Sequence, residues 1–486
     1  MPRSADPAWR WGVDAPVALL LAAAAVALAW AYRAVLVTSD PWHYAQSALN
    51  FGTHEWIPSG LTRWGIIVPL IPVAKAFGAT LPTFYAFAFA ATALVVVVVY
   101  VLARWVGTTV LASLAVVTFV ATPLTFVNLS RGYPDLMAIA LNGLTLILVL
   151  LARDRDRLWL LLLAGLVAGW AFEVRETTVF TWPLFAWIVW GVSRRWAGYG
   201  LVILGLLPWA VLDVVLSWRT LDDPLAKYHV LSGSDLNDSV SPLDGGYLGH
   251  DRLWYLLRLP NAILEQPWGW TVIVIAVMGL LGGVVVRGRV GLYVVWALLP
   301  VVLLVLQAGV IDPEHPSVRV DVPRYWLAFT PGLTIAAVIF AAWLFERMRL
   351  PEWLGALVLA VVVVAAGAQY ARTEPTFYPN SGRLPYQTAR QIPDGATVWT
   401  DGRTYRILPV YLTEAGRDAT VKDFTRRGFA PAAGEYVLVF SDTDTTCEFC
   451  KLDYDLWKAQ GNRLPVEAYE VVWTAPSGKA RLYRVV

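Results

Sequence analysis

The 486 residues are 57% hydrophobic and 15% charged, with a mean hydropathy of +0.55. Such a chain has too much apolar surface, and too few charges, to be solvated as one soluble globule. A net charge of +2 with scattered basic residues excludes the electrostatic footprint of a nucleic-acid binder, while 25 tryptophans suit a protein with many bilayer interfaces.

Apolar stretches able to cross about 30 Å of hydrocarbon fall near 15–37, 81–103, 107–129, 136–152, 157–172, 177–193, 198–218, 268–286, 290–310, 325–345 and 353–371. The first, from Ala15, is too long for the apolar core of a signal peptide and has no small-residue cleavage site after it, so it reads as an uncleaved span. The piece from Trp64 to Ala74 is ambiguous, being short and carrying Pro69 and Pro72. Orientation decides its reading. If it does not cross, Arg3, Arg10, Arg104, Arg153, Arg155, Arg157, Arg194, Arg195, Arg287, Arg289, Arg347 and Arg349 share one side, as the positive-inside rule requires. The expectation is therefore a polytopic α-helical membrane protein with about eleven transmembrane helices in the plasma membrane, with a cytoplasmic N-terminus. Residues 64–78 would lie on the outer surface as a juxtamembrane helix. Residues 38–80, 130–135, 173–176, 219–267, 311–324 and the tail would face outward. The membrane domain spans 1–371, with 38–80 as first outer loop and 219–267 as large outer loop, and 372–486 form a small extracytoplasmic α/β domain.

The chemistry-bearing residues follow in order. Asp40, just after the first span, precedes Pro41 and an amphipathic run, Trp42 to Gly52, that suits an interfacial helix with its aromatics among the headgroups. An acid before proline also suits a helix start. Arg131 breaks the orientation rule in a short outer loop and calls for an anion: Asp135, Asp40 or a ligand phosphate. Asp135 follows Pro134 in the first turn of the fourth span, where a helix cap is the plain alternative. Glu173, Arg175 and Glu176 join the fifth and sixth spans almost without a loop, either pairing with each other or lining a cavity. Arg324 and Tyr325 open the tenth span; an arginine there suits a lipid-linked phosphate, with snorkelling as the alternative.

In the tail, strand-like pieces at Ala396–Thr400, Tyr436–Ser441, Ala468–Thr474 and Ala480–Val486 alternate with helical patterns at Thr404–Leu412 and Leu452–Ala459. Cys447 and Cys450 lack the second pair of a zinc site and read as a local disulfide on the oxidising side.

These residues resemble the GT-C fold glycosyltransferases that use polyprenyl-phosphate sugars, in particular the protein O-mannosyltransferase, aminoarabinose transferase and RgtA/B/C/D-like families. The features that carry the resemblance begin with Asp40 and Tyr44, then Gly52-Thr53-His54-Glu55-Trp56. They continue with an arginine-and-proline helix from Arg63 to Phe77-Gly78, Asp135 at the fourth span, and Arg324-Tyr325 with Pro331 following. Many members place two adjacent acids in the first motif, whereas Pro41 follows Asp40 here. The resemblance implies inverting transfer of a sugar from a polyprenyl-phosphate donor to a glycan, lipid or protein acceptor at the outer membrane face. Asp40 would act as base, with Tyr44, Arg131, Asp135, Glu173, Arg175, Glu176, Arg324 and Tyr325 binding substrate. A divalent metal ion at Asp40 and Asp135 stays open, as do a transporter or lipid flippase and a non-catalytic assembly subunit of the same fold.

Overall fold

The computed structural model describes residues 11–36, 40–52, 63–233, 247–316, 318–320, 322–373, 383–426, 429–440, 457, 459–476, 478 and 480–486. Cys447, Cys450 and most of the predicted helix at Leu452–Ala459 lie outside these residues.

The first helices in chain order are α1 (Trp11–Ala31), α2 (Asp40–Leu49), α3 (Trp64–Phe77), α4 (Leu81–Arg104), α5 (Thr109–Ala121), α6 (Pro123–Asn128), α7 (Pro134–Arg155), α8 (Trp159–Val174) and α9 (Trp182–Trp190). They continue as α10 (Arg195–Leu221), α11 (Ala226–Gly233), α12 (Arg252–Leu264), α13 (Gly269–Val286), α14 (Arg289–Val305), α15 (Thr330–Arg347), α16 (Glu352–Thr373), α17 (Arg383–Ala389) and α18 (Gly402–Glu414). Among the described residues, eight helical stretches, built on α1, α4, α7, α10, α13, α14, α15 and α16, are long and apolar enough to cross a membrane.

The other three expected spans are shorter or broken. Pro123 divides the third into α5 and α6, because proline has no N–H for the preceding turn. The fifth, α8, has 16 residues. The sixth is a 3-10 turn, Glu176–Thr181, followed by the nine-residue α9.

With 14 residues, α3 reaches about 21 Å at 1.5 Å per residue, shorter than the roughly 30 Å of a bilayer's hydrocarbon core. It packs on α2, α4 and α8 and buries Trp64, Ile66 and Ile67 completely. Gly65 permits this contact, since a Cβ there would lie 2.8 Å from the Glu173 carbonyl carbon and the Val174 nitrogen. The Trp170 indole then donates to the Gly65 carbonyl at 2.9 Å. The helix is thus bound into the bundle through its first turns.

Five strands, β1 (Ala396–Thr400), β2 (Ala419–Asp423), β3 (Tyr436–Phe440), β4 (Tyr469–Thr474) and β5 (Ala480–Val485), form one sheet in the order β2-β1-β3-β5-β4. β1 runs parallel to β2 and β3; β5 runs antiparallel to β3 and β4. β2 was not legible in the sequence. Its five residues follow Arg417-Asp418 and end in Lys422-Asp423, so its short apolar signal is diluted, and pairing with β1 is what extends it.

The sheet unit docks on the bundle through α18. Ile407, Leu408, Tyr411 and Leu412 share one apolar cluster with Val35, Leu36, Leu81, Phe84 and Tyr85. Glu414 accepts from the Leu81 backbone at 3.1 Å, and the Tyr411 hydroxyl accepts from the Leu36 backbone at 3.3 Å. At the opposite end of the bundle, the fully buried Asp14 accepts from Arg104, Tyr100 and Thr109 at 2.9, 3.0 and 2.9 Å. Arg104 is therefore an internal tie between α1 and α4 as well as a flanking charge.

Gly65→Val should lower the thermal unfolding midpoint in detergent, because overpacking of this kind costs about 1–3 kcal/mol. Gly200→Ala, whose added Cβ would meet nothing within 4 Å, should leave the midpoint unchanged.

Candidate active site

The sheet-bearing end of the bundle gathers most of the charges singled out in the sequence. Asp40 is the first residue of α2, where the helix dipole favours a carboxylate and Pro41 occupies the first turn. Its side chain is 42% exposed, and its Oδ2 lies 3.6 Å from Arg63.

Arg63, immediately before α3, is the centre of the first group. Its guanidinium donates to the Tyr44 hydroxyl and lies 3.5 Å from Glu176. Burial by itself disfavours the charge, but Tyr44, Glu176 and Asp40 outweigh that, and the pKa of Arg63 is raised. Burial pushes the Tyr44 phenol up against the pull of Arg63, so it stays neutral. This one cation ties α2, α3 and the 3-10 turn after α8 together.

The second group is built on Asp135, buried in the first turn of α7. Arg175 donates to its Oδ1, and Arg324 Nε lies 3.9 Å from its Oδ2. Arg175 stacks over the Tyr325 ring at 4.4 Å, and Arg324 lies over Tyr133 at 4.0 Å and Tyr325 at 5.5 Å. Desolvation raises the Tyr133 phenol, with Arg324 and Arg131 opposing. Asp135 Oδ2, Arg324 Nε and Glu176 Oε1 are buried without a hydrogen-bond partner among the described residues. Below them a narrow cleft is lined by Asp135, Asn142, Arg175, Thr178, Trp296 and Tyr325.

The loop carrying Arg131 and Tyr133 closes the two groups together. A Cβ at Gly132, whose φ is +69°, would stand 3.3 Å from Pro41, so the loop lies against the start of α2. Asp40 accordingly acts electrostatically on both Tyr133 and Arg324.

Two expectations need correction. Glu173 is not brought to this cleft. Its carboxylate is 3% exposed and pairs with the buried Lys227 of α11, which also lies 3.3 Å from Asp213 of α10. Asp213 meets Ser217 at 3.4 Å, and Ser217 accepts from Trp64 at 3.3 Å, so this triad braces α3 from behind. Trp42 and Tyr44 of α2, expected among headgroups, are engaged by other parts of the chain. Trp42 donates from its indole to the Arg406 carbonyl of α18 at 3.3 Å, and Tyr44 is 2% exposed. The amphipathic pattern gives an apolar face, and the docked sheet unit covers part of it. The two carboxylates considered for a divalent cation each lie beside a guanidinium, Arg63 or Arg175, and the described residues contain no group of three or more His, Cys, Asp or Glu that could hold a metal ion.

Arg63 had no site role in the sequence reading, although an arginine on the outer side of a short apolar helix is the same signal that marked Arg131. Lys227 and Asp213 carried none. Nothing in a lone lysine of a polar loop, or an aspartate near the end of a long span, announces a buried partner.

With this geometry in place, comparison with solved structures defines the class: the chain has the GT-C fold of polytopic membrane glycosyltransferases. The crystal structure of apo ArnT, an aminoarabinose transferase from Cupriavidus metallidurans, superposes with a TM-score of 0.52 at 14% identity, covering 98% of this chain and 97% of ArnT. ArnT from the same organism bound to undecaprenyl phosphate superposes at 0.54 and 13% identity, covering 98% of each chain. No protein-family model matches the chain, and no curated protein matches it significantly.

Lys227→Met leaves two buried carboxylates without their cation and should destabilise the fold by about 3–5 kcal/mol. Thermal unfolding in detergent should register that loss, with partial recovery when Glu173→Gln is added.

Proposed function

We propose that the protein is a glycosyltransferase that moves a sugar, with inversion, from a polyprenyl-phosphate carrier to an acceptor hydroxyl at the extracytoplasmic face of the membrane. The observation that carries this reading is the pairing of one accessible acid, Asp40, with a bank of arginines pinned in place by buried carboxylates, at one end of a GT-C bundle. ArnT, which shares the fold, has been crystallised with undecaprenyl phosphate, and the same class of lipid donor is proposed here.

In the proposed reaction Asp40 accepts the proton of the acceptor hydroxyl while that oxygen attacks the anomeric carbon from the face opposite the carrier. The bond from that carbon to the phosphate oxygen breaks, and the carrier leaves as its phosphate with the electron pair. General-base action of this kind contributes about 10²–10⁴-fold. Arg324, at 23% side-chain exposure, together with Arg131 and Arg175, would take up the charge on the departing phosphate. Such donors work best when fixed before the reaction in a poorly hydrated site. Asp135 supplies that fixation, holding Arg175 directly and Arg324 through the longer contact. Tyr44 and Glu176 do the same for Arg63, which in turn orients Asp40. Tyr325 offers a platform beneath two guanidiniums.

A transporter or flippase finds its support in the buried Lys227–Glu173–Asp213 triad, since ionisable groups enclosed between helices are a transport signature. The two readings part in one assay: purified protein in liposomes with a panel of polyprenyl-phosphate sugars. Wild type should transfer sugar, and Asp40→Asn should lower kcat by about 10²–10⁴-fold while unfolding at the wild-type temperature. Full activity in the variant removes Asp40 as the base. Lipid movement without transfer from any donor would replace the enzyme by a transporter.

The proposed topology puts α3, the active site and the sheet on the outer side. In a Cys447→Ser/Cys450→Ser background, Lys75→Cys, at an exposed position in the last turn of α3, should react with an impermeant thiol reagent in intact cells. Labelling only after permeabilisation would reverse the assignment.

A further inference from the structure

Outside the site just described, the sheet unit has a cleft of its own, with a volume of about 280 Å³. It is lined by Gly402 and Arg406 of α18, Asp423 at the end of β2, Thr425 and Arg426 just after it, and Trp457 and Gln460. Its place in the fold is informative. β1, α18 and β2 form a parallel crossover unit, while β3 lies parallel on the other side of β1. The chain therefore leaves β1 toward one neighbour while the next strand is added on the opposite side, and the cleft opens outside the carboxyl ends of β1 and β2. In open sheets with parallel strands that crevice is where ligands bind.

The chemistry of the lining narrows the ligand. Arg426 is 69% exposed, yet it is held at 3.3 Å by Asp423, itself 6% exposed, and lies 5.5 Å from the Tyr405 ring. Asp423 is occupied further by Thr425, whose backbone and hydroxyl donate to its Oδ1 at 2.8 and 2.5 Å. Among the described lining residues the charged groups are Arg406, Arg426 and Asp423, and with that acid engaged the two guanidiniums suit a phosphate or carboxylate. Thr425 and Gln460 add hydrogen-bonding groups of the kind that meet sugar hydroxyls, and Trp457 adds an aromatic edge. The volume lies just below the usual range for a drug-sized ligand and suits one sugar rather than a chain of them.

The cleft also adjoins the helix that begins with Asp40. Arg406 accepts the Trp42 indole N–H on its carbonyl at 3.3 Å, and its guanidinium lies 5.8 Å from the Trp42 ring. Its charge, after burial, helps to depress the pKa of His43. We propose that this cleft binds a single anionic sugar, phosphorylated or carboxylated, belonging to the acceptor, and that Arg406 and Arg426 read its charge. The word acceptor rests on the transfer reaction proposed above; the binding itself does not.

Saturation-transfer NMR on the full chain in detergent, without donor, tests this with glucose 1-phosphate, glucuronate, glucose and inorganic phosphate as probes. Glucose 1-phosphate and glucuronate should saturate. Glucose should bind at least about tenfold more weakly, as should glucose 1-phosphate to Arg426→Ala, since a charge-assisted hydrogen bond is lost in each case. Arg426→Lys should recover part of the affinity, which separates loss of charge from loss of fold. Binding of glucose equal to that of glucose 1-phosphate would overturn the anionic assignment, and phosphate competing as tightly as the sugar phosphate would overturn the sugar. Absence of saturable binding by any probe, or indifference to Arg426→Ala, would overturn the site. Because no turnover is involved, these outcomes leave the transfer reading untouched, and failure of sugar transfer leaves them interpretable.

Discussion

The organisation of the proposed active site depends on one buried cation, Arg63. Its side chain is 11% exposed and meets Asp40, Tyr44 and Glu176, which come from α2 and from the 3-10 turn after α8. A guanidinium in so poorly hydrated a place is tolerable only because two acids and a phenol oxygen surround it. Those partners are in turn held where the guanidinium needs them. Asp40, left 42% exposed by this arrangement, is the carboxylate of the group that a substrate can reach.

The same logic repeats at Asp135 and, behind α3, at Lys227. In each case a buried charge of one sign fixes two of the other. The result is a rigid electrostatic frame at the edge of an apolar bundle, where pairs interact more strongly than at a wet surface. Fixed positive charge in such a frame suits a reaction whose leaving group is an anion, because no reorganisation is required as the charge develops. The Gly65 contact and the Trp64–Ser217 hydrogen bond connect the frame to α8 and α10, so its geometry is tied to helix packing. On the other flank, α18 of the sheet unit covers Trp42 and adds Arg406 beside His43. The mouth of the proposed site is thereby shaped by two parts of the chain more than 350 residues apart, since Trp42 and Arg406 are separated by 364 positions.

Much of this was legible in the amino-acid sequence. Hydropathy alone located the eight helical stretches that, among the described residues, are long and apolar enough to cross a membrane, because burial in a bilayer demands long uninterrupted apolar runs. The strands β1, β3, β4 and β5 and the helix α18 were legible from local alternation and periodicity. Asp40, Arg131, Asp135, Arg175, Glu176 and Arg324 stood out because charge at a span's end needs a reason, and the family resemblance added Tyr44 and Tyr325. Their common end of the bundle followed from the distribution of arginines.

Pairing was beyond reach of the sequence. Glu173, Arg175 and Glu176 are near neighbours in the chain, yet they turn to three different partners, Lys227, Asp135 and Arg63, because the end of α8 and the 3-10 turn after it send successive side chains in different directions. Lys227 and Asp213 became partners only when α10 and α11 folded back on α8. β2 exists as a strand because β1 offers it an edge. The sequence by itself determined the apolar elements and which residues are too costly to be idle at a membrane edge, since those follow from local composition and transfer energetics. Tertiary structure decided which acid is clasped by which cation and which is left open, since a buried charge is satisfied by whatever the packing of distant helices brings within a few ångströms.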